Sequence, residues 1–422
     1  MSAQAENLPK DSKKSNAKSA NVKKITMKVA PDPSLRVAEA RLVPHQALLE
    51  AEPFSILGGD RLPPIITTSV KPDKKTCFGP RGGAIMGTDG PLWICDTGHH
   101  RLLGWKKTPT DDTTPADWVI GQKDFYSEGR NGKVDVSAFS VNVPTGICAC
   151  GEGMAVADAW NHRILIWKTL PEDNNVPADI VLGQNDFLSN EANHGKDHAA
   201  ANSMHWPYGV AWIDDHLFVA DAENRRVLIW KGMPTQNGQD ADVVLGQINF
   251  KNRDENAGND PSAMSMRWPH GIAMWHGHLC VSDAGNNRIM IWKGIPDKNG
   301  IDCDYVLGQN NTDLVDHNQS LYWPRAYTLN MPYALATVND WLIVADTASS
   351  RILGWHIEDL ATGAEARALS GQANFHDKGD NRWLPPCADS FCWPYGLQTM
   401  GDTIVIADSG NNRVSLWKLA VQ

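Results

Sequence analysis

The chain has 422 residues, 42% of them hydrophobic and 21% charged, which excludes a disordered or collagen-like polypeptide. Its formal net charge of −10 is unevenly spread: Lys10, Lys13, Lys14, Lys18, Lys23, Lys24 and Lys28 against Glu6 and Asp11 make residues 1–30 net +5, leaving −15 on the rest. A body that acidic repels phosphate backbones and anionic membranes, and eight Cys are too few for a disulfide scaffold, so free thiols in a reducing compartment are expected.

Residues 1–30 are rich in Ser, Asn, Ala and Lys with almost no large apolar side chains, which predicts a disordered basic tail. No apolar core of a signal peptide follows these lysines and no run of 18 apolar residues occurs, so no membrane span and a cytoplasmic address are expected. Residues 31–52 read as a linker with a candidate short helix around Gln46 to Ala51, broken upstream by Pro44. Residues 53–422 are periodic.

An Asp closes an apolar run, an Arg follows five residues later and a Trp nine residues later. The sets are Asp96, Arg101 and Trp105; Asp158, Arg163 and Trp167; Asp221, Arg226 and Trp230; Asp283, Arg288 and Trp292; Asp346, Arg351 and Trp355; and Asp408, Arg413 and Trp417. Each Asp stands 62 or 63 residues after the last. Twenty-five residues after each of the first five Asp stands a Gly-Gln pair, the first being Gly121-Gln122 and the last Gly371-Gln372. The sixth unit ends too soon for one, but Ile56-Leu57-Gly58-Gly59 precedes the first unit and supplies the missing piece. Within a unit, short runs such as Leu217-Phe-Val-Ala and Val227-Leu-Ile-Trp read as strands, with helical periodicity absent. Four strands per repeat, six repeats and a borrowed N-terminal strand predict an all-β, six-bladed β-propeller.

The runs Asp158-Ala-Trp-Asn161-His162-Arg163, Asp221-Ala-Glu-Asn224-Arg225-Arg226, Asp283-Ala-Gly-Asn286-Asn287-Arg288 and Asp408-Ser-Gly-Asn411-Asn412-Arg413 resemble NHL repeats, a resemblance that extends in register over residues 53–420. It implies the propeller fold and hardly any particular activity. A structural role is expected for the Asp and Arg of every unit, facing each other across a tight turn as a bidentate pair that holds the hairpin register. The six Trp are expected to pack between blades.

Function is therefore sought where the copies diverge. A Pro stands 14 residues before each of the last five Asp, and the residue after it varies: Thr145, Tyr208, His270, Tyr333 and Tyr395. In the first unit Pro80-Arg81-Gly82-Gly83 takes this place with a two-residue offset. Innermost strands line a propeller's channel, so these residues, with Trp206, Trp268 and Trp393 before their Pro, should ring one mouth as a binding surface. The same side chains could simply plug a narrow channel. The second variable region is the connection from each Gly-Gln to the next Pro, whose length marks it as a candidate binding loop.

Enzymatic readings fare less well. Resemblance to the zinc-dependent peptidyl-hydroxyglycine lyase would require three His after Pro, and only His270 matches. Lactonase-like calcium sites need acidic or amide oxygens on the inner strands, from Thr145–Cys150 to Tyr395–Met400, where no Asp, Glu or Asn stands. His99, His100 and His162 sit in adjacent turns with no third ligand in view, so neither metal nor cofactor is expected. The expectation is a monomeric, non-enzymatic scaffold that binds a protein partner at the channel mouth. A lyase or hydrolase around His270 and the tyrosines, and an RNA-binding propeller, are the alternatives; nucleic acid is disfavoured by the acidic body.

Overall fold

The computed structural model describes residues 45–60 and 70–421; the basic tail and most of the proposed linker lie outside these residues. Six antiparallel sheets follow one another along the chain, each with four strands ordered from the channel outward. In the third blade these are Pro207–Ile213, His216–Asp221, Arg226–Lys231 and Val243–Leu245. The sixth blade has only three strands of its own, and Ser55–Leu57 pairs antiparallel with Arg413–Lys418 to complete it. The ring is thus a six-bladed propeller closed between its two ends.

Strand alternation explains why the blades are apolar on both faces. Ile164 and Ile166 point into the hydrophobic layer shared with the third blade, while Leu165 and Trp167 point into the layer shared with the first. Among the described residues there is one such layer at each of the six blade interfaces. The repeat Trp are fully buried in these layers, and in five blades the indole N–H donates to the carbonyl nine residues on, securing the loop before the outer strand.

The expected helix around Gln46 to Ala51 does not form. Gln46–Ala47 is instead a fifth strand on the fifth blade, parallel to Ala368–Ser370, and Leu49 bridges to Leu419 of the sixth. The outer edge of a blade presents unpaired N–H and C=O groups, and pairing with them satisfies the segment where one isolated turn of helix would not. Leu48 and Leu49 are buried in the layer between blades five and six, and Leu48 fills the space left by Gly354, where an added Cβ would stand 2.7 Å from it.

Each Asp–Arg turn is a hydrogen-bond hub. The Arg Nε donates to Asp Oδ2 at 2.7 to 3.0 Å in all six blades. The expected bidentate pair is corrected here: Arg101, Arg163, Arg226, Arg288 and Arg351 each bond their Asp through Nε alone. The remaining guanidinium N–H groups are drawn off by backbone carbonyls of the flanking loops, which have no other means of satisfaction in the buried turn. Arg101 reaches the carbonyls of Phe125, Asp73 and Thr76, Arg226 those of Phe250, Ala200 and Ser203, and Arg351 those of Phe375, Arg325 and Thr328. Arg413 likewise reaches Cys387 and Ser390. The structural role expected of these arginines stands, but each ties its hairpin to two loops as well as to its Asp. The other Asp oxygen accepts the N–H of the residue two before the inner-strand Pro, as His205 N donates to Asp221. The residue before each Arg adopts the left-handed conformation, with φ between 51° and 55°.

Candidate functional site: the channel mouth

The inner strands start at the Pro, and the backbone around it is unusual. Val143, Trp206, Met331 and Trp393 all have positive φ. Their N–H groups are held from the preceding blade, by His100, His162, Asn287 and Ser350 respectively. His100 and His162 thus serve as acceptors for the next blade, and His99 replaces the turn Asn by donating to Asp96. Among the described residues no three His, Cys, Asp or Glu side chains converge as metal ligands.

The first blade conforms to this pattern once its strands are paired. Gly82 pairs with Cys95, so Pro80-Arg81-Gly82 matches Pro144-Thr145-Gly146 in register, and the two extra residues sit in the hairpin turn between Ile85 and Leu92. Arg81 is therefore the sixth member of the ring, with Thr145, Tyr208, His270, Tyr333 and Tyr395. The Gly that follows all of these but Tyr333 lets adjacent inner strands meet: a Cβ at Gly209 would stand 1.8 Å from the His270 carbonyl oxygen, and one at Gly396 2.5 Å from that of Arg81.

The ring closes on itself through its side chains. His270 lies 4.2 Å from Tyr208 and 4.3 Å from Tyr333 between ring centres, and Tyr333 lies 4.7 Å from Tyr395. Arg81 completes the circuit, its guanidinium 4.7 Å from the Tyr395 ring and 5.9 Å from that of Tyr208. Trp206 and Trp268 stand half-buried above, and these residues with Ala222 and Glu223 enclose a cavity of about 140 Å³. A channel of about 330 Å³, walled mostly by apolar side chains, adjoins it below.

Two of the sequence-predicted residues stand outside the cavity. Thr145 is buried and turns its hydroxyl to the Tyr208 carbonyl at 2.8 Å, because it is too short to cross to the axis. Trp393 is half-exposed on the rim. Arg81 enters in their place; its position after Pro80 was the available signal, obscured by the longer hairpin.

Electrostatics keep the ring uncharged except at Arg81. Burial raises the Tyr208 pKa well above that of a free phenol, takes Tyr333 up to about 12 and raises Tyr395 as well. Burial also drives His270 down to about 3, and the nearby Arg81 charge acts the same way. Its Nδ1 faces the Trp268 carbonyl at 2.9 Å and so carries the proton, leaving Nε2 as an acceptor. Among the described residues no carboxylate is hydrogen-bonded to this imidazole, whose Nδ1 is held by a backbone carbonyl.

The long connections are less free than their length suggests. The Gln of each Gly-Gln clamps them, as Gln184 donates to the carbonyls of His162 and Glu191. In four of them an Asn bonds to the turn Asn of the following blade, as Asn193 does with Asn224. Their outward side chains still differ. Of the fourteen large hydrophobic side chains exposed among the described residues, thirteen lie in the connections and turns at the end of the blades where the inner strands begin, among them Trp160, Tyr322, Trp383 and Trp393. The fourteenth, Ile301, lies in the connection that leads to the outer strand of the fourth blade, beside Ile248: a Cβ on the adjacent Gly300 would stand 3.3 Å from the Ile248 Cα.

The NHL repeat model matches residues 266–292, which hold the fourth Asp–Arg turn. No curated protein matches in sequence. Similar solved structures include hydrazine synthase of Kuenenia stuttgartiensis, at 11% identity and TM-score 0.46 over 85% of this chain and 100% of that one. Others are the WD40 propeller domain of Doa1, at 10% identity and 0.44 over 87% and 96%, and virginiamycin B lyase of Staphylococcus aureus, at 13% and 0.40 over 88% and 97%. Likeness this distant carries no inference about what the chain does.

Proposed function

We propose that this chain, an NHL-repeat β-propeller, is a non-enzymatic binding platform that engages a protein partner on its channel-mouth face. The observation that carries the reading is the one-sided distribution of exposed large apolar side chains, thirteen of fourteen at the mouth end of the blades. Monomeric proteins rarely leave large apolar side chains concentrated on one face without a use, and aromatic residues dominate interface hot spots. The platform acts as a monomer in the cytoplasm, in keeping with eight free cysteines and with the lack, among the described residues, of a helix long and apolar enough to cross a membrane.

A photo-crosslinking amino acid placed at Trp383 or Tyr322, in the native host, should trap a single protein species, and the same group at Glu152, exposed in the hairpin at the far end of the second blade's inner strand, should trap none. Equal yields from the two ends, or none from the mouth, would refute the platform reading. An RNA-binding role finds no support in a chain of net charge −10.

A further inference from the structure

Each of the six repeat arginines is surrounded by partners, an Asp and several carbonyls, as electrostatics demands of a buried guanidinium. Arg81 differs. Among the described residues its guanidinium makes no ion pair; the faces of Tyr208 and Tyr395 attend it, and its polar neighbour is the Tyr208 hydroxyl. Two donors at the same cavity are unsatisfied. The Tyr208 hydroxyl, in a residue 5% exposed, lies beside the Arg81 guanidinium, which can only donate to it, so its own proton has no acceptor. The Trp206 indole N–H is buried and unpaired as well. The one carboxylate lining the cavity, Glu223, is held 3.2 Å from Arg225.

Two unpaired donors, the Tyr208 hydroxyl and the Trp206 N–H, and one positive charge without a counter-charge border a cavity of about 140 Å³ and describe a site awaiting an anion. We propose that the channel mouth binds a single carboxylate group, received by Arg81 and completed by the Tyr208 hydroxyl and the Trp206 N–H. One guanidinium neutralises one negative charge. A phosphate monoester would bring nearly two, and the surplus would remain in a site whose other ring members are neutral tyrosines and a neutral imidazole. The cavity admits a carboxylate with a short carbon stem, and the apolar channel below has room for more. The inference deepens the platform reading when the carboxylate belongs to the partner, as an acidic side chain or a chain terminus, and is independent of it when the group belongs to a free monocarboxylic acid.

The test is calorimetric titration of the full chain with propionate, with propionamide and with inorganic phosphate. Propionate should bind at one site, and the isosteric amide and phosphate at least about tenfold more weakly. Arg81→Gln should lower propionate affinity by about tenfold or more and Tyr208→Phe by about threefold, with Arg130→Gln, an exposed charge away from the cavity, as the unchanged control. Propionamide binding as well as propionate, phosphate binding better, or undiminished propionate affinity in Arg81→Gln would each overturn the proposal. Should Arg81→Gln fail to fold, Tyr208→Phe and the three wild-type titrations decide alone. Crosslinking separates the sources: if Arg81→Gln also loses the crosslinked partner, the partner supplies the carboxylate. If propionate binds through Arg81 but no partner is trapped, the platform reading fails and the site serves a free acid. If the partner is trapped but propionate does not bind, the carboxylate site fails and the platform stands.

Discussion

The two arginine environments in this propeller are opposites built from the same repeat. At the Asp–Arg turn the residue types and their partners recur in all six blades, and every guanidinium there, from Arg101 to Arg413, is satisfied by groups of its own chain. At the channel mouth the backbone is equally repetitive, Pro followed by a variable residue and usually Gly, but the side chains are Arg, Thr, Tyr, His, Tyr and Tyr, and the one charge among them is left uncompensated. A requirement that every blade shares must be met six times over. A requirement of the whole ring need be met only once, and it leaves its mark as divergence at a common geometry.

Four perturbations sharpen this contrast. The largest effect is expected from Arg226→Ala, which strands the buried Asp221 without its cation and frees three loop carbonyls; the loss should be about 3–5 kcal/mol by urea unfolding, and a drop below about 1 kcal/mol would show the hub to be dispensable. Next, Gly209→Ala forces a Cβ against the His270 carbonyl and should cost about 1–3 kcal/mol. An unchanged unfolding midpoint would mean that the inner strands tolerate separation at the mouth.

The third perturbation is acid. Burial lowers the His162 pKa to about 4 and that of His270 to about 3, so the folded protein keeps both neutral while the unfolded chain protonates them near pH 6.5. The stability they contribute is complete above that value and is lost as pH falls through the window from about 6.5 to 4 for His162 and to 3 for His270. His162→Asn, which places there the residue that serves at Asn287 and Asn412, should flatten the decline by about 1 kcal/mol. A variant with the same pH slope as the parent would remove His162 from the account. The smallest effect on stability belongs to Arg81→Gln, within about 1 kcal/mol of the parent because no ion pair is lost with it, although it should lower carboxylate affinity by about tenfold or more. A loss comparable to that of Arg226→Ala would make Arg81 a structural plug.

Much of this was legible in the chain. The position of each blade, its four strands and a borrowed strand at Ile56-Leu57 follow from spacing alone, since a repeat carries its own register. Tyr208, His270, Tyr333, Tyr395, Trp206 and Trp268 are placed at one mouth by their relation to Pro and do line one cavity there. The Asp–Arg pairs were found by spacing too, but the division of each guanidinium between Asp and loop carbonyls was hidden, because those carbonyls belong to backbone that no side-chain pattern records. Thr145 misled because position in a repeat says where a side chain begins and nothing about how far it reaches. Arg81 was overlooked as a site residue because two extra residues in a hairpin shifted its apparent register. The segment from Gln46 to Ala51 was misjudged because its apolar positions suit a helix turn and an edge strand equally, and its deciding partners, Ala368 and Leu419, stand at the far end of the chain.

The sequence by itself determined the number of blades, the strands within each and the closure of the ring, because these depend on short-range patterns that recur six times. Only the tertiary structure decided which arginine lacks a counter-charge among the described residues, which donors converge on one cavity and where the segment before the first blade docks. Those facts are properties of distances between blades, and residues that meet at the axis are separated in sequence by whole repeats.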